Sequence, residues 1–358
     1  MHKILGAITL TSPLHVPTPF ESKSSGEEKT RQVTDVIKTW YIGADGKRRV
    51  VPYFPANDFR GRLRREATGI ILKAYNSLVS LNLYHSMSCG AVTGAPWKDK
   101  HGVEYVSGLK AELSYQYRKN VFAGLFGGGF YMLPSGFRMS DMLPAVEGLS
   151  VAGLLPYGYS GPVVDIESFN LTTNFIMNRF DDAIKDPSKT MQHCEASDVD
   201  DWVAELASTG TDRNKLSLTN FLEVAAIMPG TPMVFNMDLK DDLTDAQIGL
   251  MLLSLQGLCN KQGLGASSRK GFGNFNAFDL TLYSEDGHTK IFNKGANFMQ
   301  PYELSKEVTD KFVSAFWAEM IDKQKLIDSI AEAMTEKSAT QKKVAPKKQS
   351  KKATDGEG

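Results

Sequence analysis

The sequence predicts an α+β fold built on an antiparallel sheet, ferredoxin-like in arrangement, and three observations predict it. Residues 4–78 combine strands with one long amphipathic helix. Residues 222–283 repeat the combination, with a second helix between segments of strand composition. Between these pieces, residues 165–218 are polar, acidic and dotted with aromatics, and read as an insertion rather than core. An apolar fraction of 42% supplies a real core, which excludes a disordered chain.

In chain order, residues 4–10 alternate loosely and form a first strand. Residues 12–30, rich in Pro, Ser and charge, follow as a long exposed loop. Residues 33–42 have strand composition, and Ala44-Asp45-Gly46-Lys47 is a turn signal leading to a short strand at 49–54. Asn57 or Asp58 then caps a helix with Phe59, Leu63, Ala67, Ile70, Ile71, Ala74 and Leu78 on its apolar face, near a 3.6-residue period. Residues 85–120 carry mixed signals and support no assignment. Gly127-Gly128-Gly129 demands a tight turn or a close backbone approach. Residues 137–143 read as a strand and 149–165 as loop.

The second core piece is more regular. Residues 223–227 and 232–239 are strands joined by Met228-Pro229-Gly230. Thr244 caps a helix over 245–262 that turns Ile248, Leu252, Leu255 and Leu258 inward. A glycine-rich segment, 263–273, leads into a strand at 275–283, and a last amphipathic helix covers 302–336. Residues 338–358 hold six lysines, two acids and no aromatic, the composition of a disordered tail. The expected organisation is therefore a core from 1–164 and 219–300, an insertion at 165–218, a C-terminal helix at 301–337 and the tail.

Charge and composition narrow the function. The 41 basic and 41 acidic residues balance, which by itself argues against nucleic acid. The charges are segregated, however. Bases cluster at Lys47-Arg48-Arg49, Arg60–Arg65 and Ser268-Arg269-Lys270, and acids at 195–212 and 238–245, so one basic and one acidic surface are compatible with the neutral total. The longest apolar runs, 4–10 and 249–258, are too short to span a bilayer, so no membrane partner is expected. Three cysteines without metal spacing fit a reducing cytoplasm and no metal site.

Two segments carry candidate chemistry. Gly263-Leu264-Gly265-Ala266-Ser267-Ser268-Arg269-Lys270-Gly271-Phe272-Gly273 offers a backbone that can approach a phosphate, with donors on both sides. It is no Walker loop, and it follows a helix and precedes a strand, the wrong order for a dinucleotide fingerprint. An ordinary helix-to-strand loop reads the same way. Arg60, Arg62, Arg64 and Arg65 place four guanidiniums at a helix start, where free amides also favour anions. A solvated helix face is the plain alternative.

These segments also carry a resemblance. Residues 51–64, with Pro55, Asn57 and Arg60-Gly61-Arg62-Leu63-Arg64, resemble the proline–small residues–basic–Gly–x–Leu–Arg signature of the RAMP proteins of CRISPR systems. Residues 263–273 are similar to their C-terminal glycine-rich loop, with Arg269-Lys270 standing where Ser-Arg is usual. Leu125-Phe126-Gly127 followed by Arg138-Met139-Ser140-Asp141 resembles the Leu-Phe-Gly … Arg-x-x-Asp stretch of type III backbone subunits. Leu14-His15 matches the turn after their first strand, although Val16-Pro17 replaces its glycine. Four motifs in the right order span residues 4–283. They resemble the Cas-seven-like backbone subunits, and the length, diverged motifs and tail favour the type IV branch over type III.

The resemblance implies an RRM-like palm with an inserted thumb hairpin, a non-catalytic subunit that polymerises along a guide RNA (crRNA) in the cytoplasm, and no cofactor. It implies partners: the crRNA, target DNA or RNA paired to it, copies of the chain itself, and a Cas-five-like subunit, a large or small subunit and a helicase. Arg60, Arg62, Arg64, Arg65, Gly265, Ser267, Ser268, Arg269, Lys270 and Gly271 fall to phosphate contacts, with His15 and Asn57 by motif position. On this reading Arg64→Glu weakens binding to all RNA sequences alike. A thumb within 164–187 offers Phe175, Met177 and Phe180 as wedges between bases, or as plain hairpin core. In type III relatives a loop aspartate supports metal-dependent cleavage of target RNA. Asp35 matches its placement, which implies Mg²⁺ in that case alone. As a polar residue at a strand edge, Asp35 needs no such role.

Overall fold

The computed structural model describes residues 2–18, 32–90, 111–179, 220–293 and 301–335, together with isolated positions between 195 and 204. The predicted 195–212 acidic stretch, apart from those positions, and the 338–358 tail lie outside the described residues.

In chain order the elements are strands β1 (His2–Leu10), β2 (Gln32–Thr34), β3 (Lys38–Ile42) and β4 (Arg48–Pro52), and helices α1 (Ala56–Tyr75), α2 (Leu81–Cys89), α3 (Ala111–Lys119) and α4 (Ala123–Phe126). Then come β5 (Phe137–Met139), β6 (Leu143–Pro144), α5 (Glu147–Val151), β7 (Thr172–Arg179), β8 (Asn220–Ile227), β9 (Pro232–Leu239), α6 (Asp245–Lys261), β10 (Phe275–Ser284) and β11 (Gly287–Lys290). Helical pieces at Lys306–Val308, Ser314–Glu319 and Lys323–Met334 close the described chain.

The main sheet has the order β11-β10-β1-β9-β5, with β6 also on β9, and every pairing is antiparallel. Taking β1-α1-β5-β9-α6-β10 as a βαββαβ chain, the spatial order is fourth, first, third, second. That is the ferredoxin-like order, and the predicted α+β class with an antiparallel sheet holds. One face of the sheet carries Ile4, Ile8 and Leu10 with Met233, Phe235, Met237, Leu280 and Leu282, all in one buried cluster with the apolar stripes of α1 and α6. Gly6 lies opposite Phe235, whose ring occupies the space a Cβ at position 6 would need. The other face is covered too. Ala7 and Val234 pack under Ala145, Leu155 and Tyr159.

Local chemistry explains most boundaries. Thr244 accepts from the Gln247 amide while the Gln247 side chain accepts from the Thr244 amide, the capping box that starts α6. The Gln247 side-chain Nε2 also donates to the Arg118 and Asn120 carbonyls, fixing the end of α3 against α6. Gly127, Gly128 and Gly129 all have positive φ, and the turn passes close to the Leu133, Gly90 and Met334 backbones, as a glycine triplet allows.

Several expectations are corrected. Neither Asn57 nor Asp58 caps α1. Its first amide, on Ala56, donates to the Asp141 carboxylate at 2.8 Å. The helix ends at Asn76 in the left-handed region, which leaves Leu78 95% exposed rather than on the core face. The expected strand at 33–42 is two strands, because Asp35, Val36 and Ile37 leave it to pair with 16–18. The expected 302–336 helix is interrupted by a π turn at Thr309–Val313 and again before Asp322, whose carboxylate caps the Lys325 amide. Among the described residues no helix is long and apolar enough to cross a membrane.

Candidate nucleic-acid interface

Helix periodicity divides the arginine cluster. Asn57, Asp58, Gly61, Arg62 and Arg65 recur at one-turn spacings and share one face of α1, where they line a cleft of about 300 Å³. The opposite wall is Val16, Pro17, Gly265 and Ala266, so the structure brings the arginine helix and the glycine loop together. Arg62 ties them. Its guanidinium donates to the Gly263 carbonyl at 2.5 Å and to the Gly265 carbonyl at 2.6 Å. Burial lowers its pKa, with the Arg65 charge acting in the same direction and Asp58 against it. Arg65 is exposed at the mouth.

The loop is held from below by His15. Ala266 donates to the His15 carbonyl at 2.9 Å, and Gly265 has φ +67° with that same carbonyl where a Cβ would sit. Ser267 takes the left-handed conformation and opens a short 3-10 turn, Ser268–Lys270, which Gly271 closes with φ +85°. Ser268, Arg269, Lys270 and Gly271 are exposed. The Lys270 and Gly271 amides are used within the turn. The Ser267, Ser268 and Arg269 amides make no hydrogen bond among the described residues and remain available to an acceptor.

Other predicted residues lie elsewhere. Arg64 is 8% exposed and donates to the Ser86, Phe126 and Gly127 carbonyls, so its guanidinium is spent inside the fold. Burial brings its pKa down to about 10, which leaves it charged at neutral pH. Arg60 is half-buried, stands 5.3 Å from the centroid of the Phe137 ring and does not line the cleft. Both were expected on phosphates, and the step of 100° per residue turns them away. His15 is buried, with Nδ1 2.7 Å from the Ala225 carbonyl, and burial lowers its pKa; it seats the loop and offers no open side chain.

Phe175, a candidate wedge, packs edge-on against Phe272 of the glycine loop, ring centroids 5.6 Å apart, and is half-buried there. That contact fastens the antiparallel β7–β8 pair to the loop. Met177 stands opposite Leu222 in the register of the same strand pair, and Phe180 lies outside the described residues. Asp35 is exposed. Its carboxylate accepts from the Lys38 ammonium at 3.1 Å and from the Val36 amide at 2.7 Å, and among the described residues no cluster of three His, Cys, Asp or Glu side chains forms.

Sequence reasoning missed two features. Asp141 reaches across 85 residues to the start of α1, where no local rule looks. A second groove, about 690 Å³, lies between the β3–β4 hairpin and residues 147–167. There the Arg48 guanidinium stacks 3.6 Å from the centroid of the Trp40 ring, and Arg49 pairs with Asp45. The Lys47-Arg48-Arg49 cluster is thus largely engaged within its own hairpin.

No family model matches the sequence, and no curated protein matches it. Among solved structures, a chain of one described as "Type IV-B CRISPR Complex" is similar at 13% identity with a TM-score of 0.47, over 90% of this chain and 99% of that one.

Proposed function

We propose that this chain binds an RNA strand by its backbone, as a repeating guide-holding subunit of a CRISPR effector complex. The observation that carries the reading is the Arg62 brace, which holds the arginine face of α1 and the glycine loop as two walls of one cleft. Phosphate oxygens need charged or amide donors that read no base. The cleft supplies Arg65 on the face that Arg62 braces, and the loop continues into the exposed Arg269 and Lys270 with open amides before them. A second observation favours the backbone over the bases. RRM domains stack bases on the sheet face away from the helices, and here Ala145, Leu155 and Tyr159 pack onto that face over Ala7 and Val234. The assignment to a CRISPR complex rests on the four motifs and their order. Guide bases left free to pair are what such a complex needs.

Sequencing the nucleic acid that copurifies with the chain tests this. Uniform RNAs with a repeat-derived end, bound to several copies, are expected. A monomer free of RNA, or one holding a single nucleotide, overturns the reading and brings forward a small-molecule enzyme using the glycine loop.

The chain acts here as a scaffold rather than a nuclease. Asp35, the candidate for metal-assisted cleavage, is engaged by Lys38 and the Val36 amide and has no neighbouring carboxylate cluster among the described residues. Wild type and Asp35→Ala are both expected to leave guide-paired RNA intact in Mg²⁺ and to assemble equally. Cleavage by the wild type that disappears in Asp35→Ala would make the chain a ribonuclease.

A further inference from the structure

We infer that Asp58 makes the cleft prefer RNA to DNA, by accepting a hydrogen bond from a ribose 2′-hydroxyl; this rests on the backbone-binding reading above. Asp58 lines the cleft beside Arg62 and Arg65. It is exposed, and among the described residues its carboxylate makes no ion pair or hydrogen bond. Its charge reaches the neighbouring side chains: it favours the charged form of Arg62 and disfavours ionisation of Tyr53.

A carboxylate in a cleft for phosphates is a liability, because the two anions repel. It becomes useful only opposite a donor. Along a nucleic-acid backbone the phosphate, ester and ring oxygens all accept, and the 2′-hydroxyl is the one group that donates. DNA lacks it, which is what lets a protein tell the two apart at a given site. A site arranged to hydrogen-bond a hydroxyl favours the strand that carries one, since without it the carboxylate faces a phosphate with no donor to offset their repulsion. Asp58 also stands in the first turn of α1, where a carboxylate complements the helix dipole. That effect is the same whichever strand is bound, so the ratio of RNA to DNA affinity separates the two roles.

The test uses the full chain, stripped of nucleic acid at high salt, and three fluorescent strands of one sequence: RNA, DNA and 2′-O-methyl RNA. Wild type is expected to bind RNA best and 2′-O-methyl RNA about as it binds DNA. Asp58→Ala is expected to lower the RNA-to-DNA ratio by about 10-fold, chiefly through tighter DNA binding once the charge has gone. Asp58→Asn keeps an acceptor oxygen and most of the ratio. Should Asp58→Ala fail to fold, the wild-type comparison of 2′-O-methyl RNA with RNA decides alone. An unchanged ratio with RNA still bound, or equal wild-type affinity for RNA and 2′-O-methyl RNA, overturns this inference and leaves the backbone reading standing. A wild type that binds none of the strands overturns both.

Discussion

Arg64→Met is expected to destabilise the fold by about 2–5 kcal/mol, read as a shift of the urea midpoint at unchanged slope. The side chain looks like one of four similar arginines, but its surroundings are unlike theirs. Its guanidinium donates to Ser86 at 3.0 Å, to Phe126 at 2.8 Å and to Gly127 at 2.6 Å, all backbone carbonyls. Two of these close the last turns of α2 and α4, where helix dipoles present their negative ends to a cation. The Phe122 and Phe126 rings stand 5.7 and 5.6 Å away. Methionine fills part of the volume but leaves the buried Phe126 and Gly127 carbonyls without a donor, and the Ser86 carbonyl with the Gly90 amide alone. Arg64→Lys keeps the charge and loses the fork, so it is expected to fall between. RNA affinity, measured where the variant is still folded, is expected to stay near wild type. A stable Arg64→Met that had lost RNA would return Arg64 to the phosphate role.

How far the sequence could be read follows from where each residue's partner lies. Thr244 and Gln247 are three apart, so the start of α6 was visible in the chain. The start of α1 was not, because the carboxylate that satisfies its first amide belongs to Asp141 on another strand connection. The strand expected at 33–42 reads correctly by composition. It breaks because the 16–18 segment takes its backbone partners at Asp35 and Ile37, a choice made by tertiary pairing. The cap at Asp322 is local, three residues from the Lys325 amide it accepts from, but the amphipathic period runs through it and hides the break.

The candidate site shows the same division. The resemblance assigns the glycine loop and the arginine helix alike to phosphates, and Arg62 is the physical link between them. Which arginines face the cleft was also legible. Position 64 precedes the buried Ile71 by seven residues and so falls on the core stripe, whereas 58, 62 and 65 fall on another. Clustering by charge alone concealed that, since four guanidiniums in six residues must point around more than half of a helix.

Arg65→Glu is therefore expected to be the most damaging single change to RNA binding, by about 10–100-fold at low salt, with the fold intact. Arg65 is exposed at the cleft mouth and makes no hydrogen bond or ion pair among the described residues, so reversing it removes a phosphate contact without unpicking the core. Because a phosphate carries no sequence information, the loss is expected to be uniform across unrelated RNAs. The slope of log affinity against log salt is expected to flatten by about one ion per site. Arg65→Lys, a point charge of the same sign, is expected to recover most of the affinity. Arg62→Gln makes the informative contrast. Its loss frees the loop from α1, so affinity should fall through disordered geometry and the stability of the loop should fall with it. If Arg65→Glu spared some sequences and not others, the cleft would be reading bases, and the backbone role of this face of α1 would have to be abandoned.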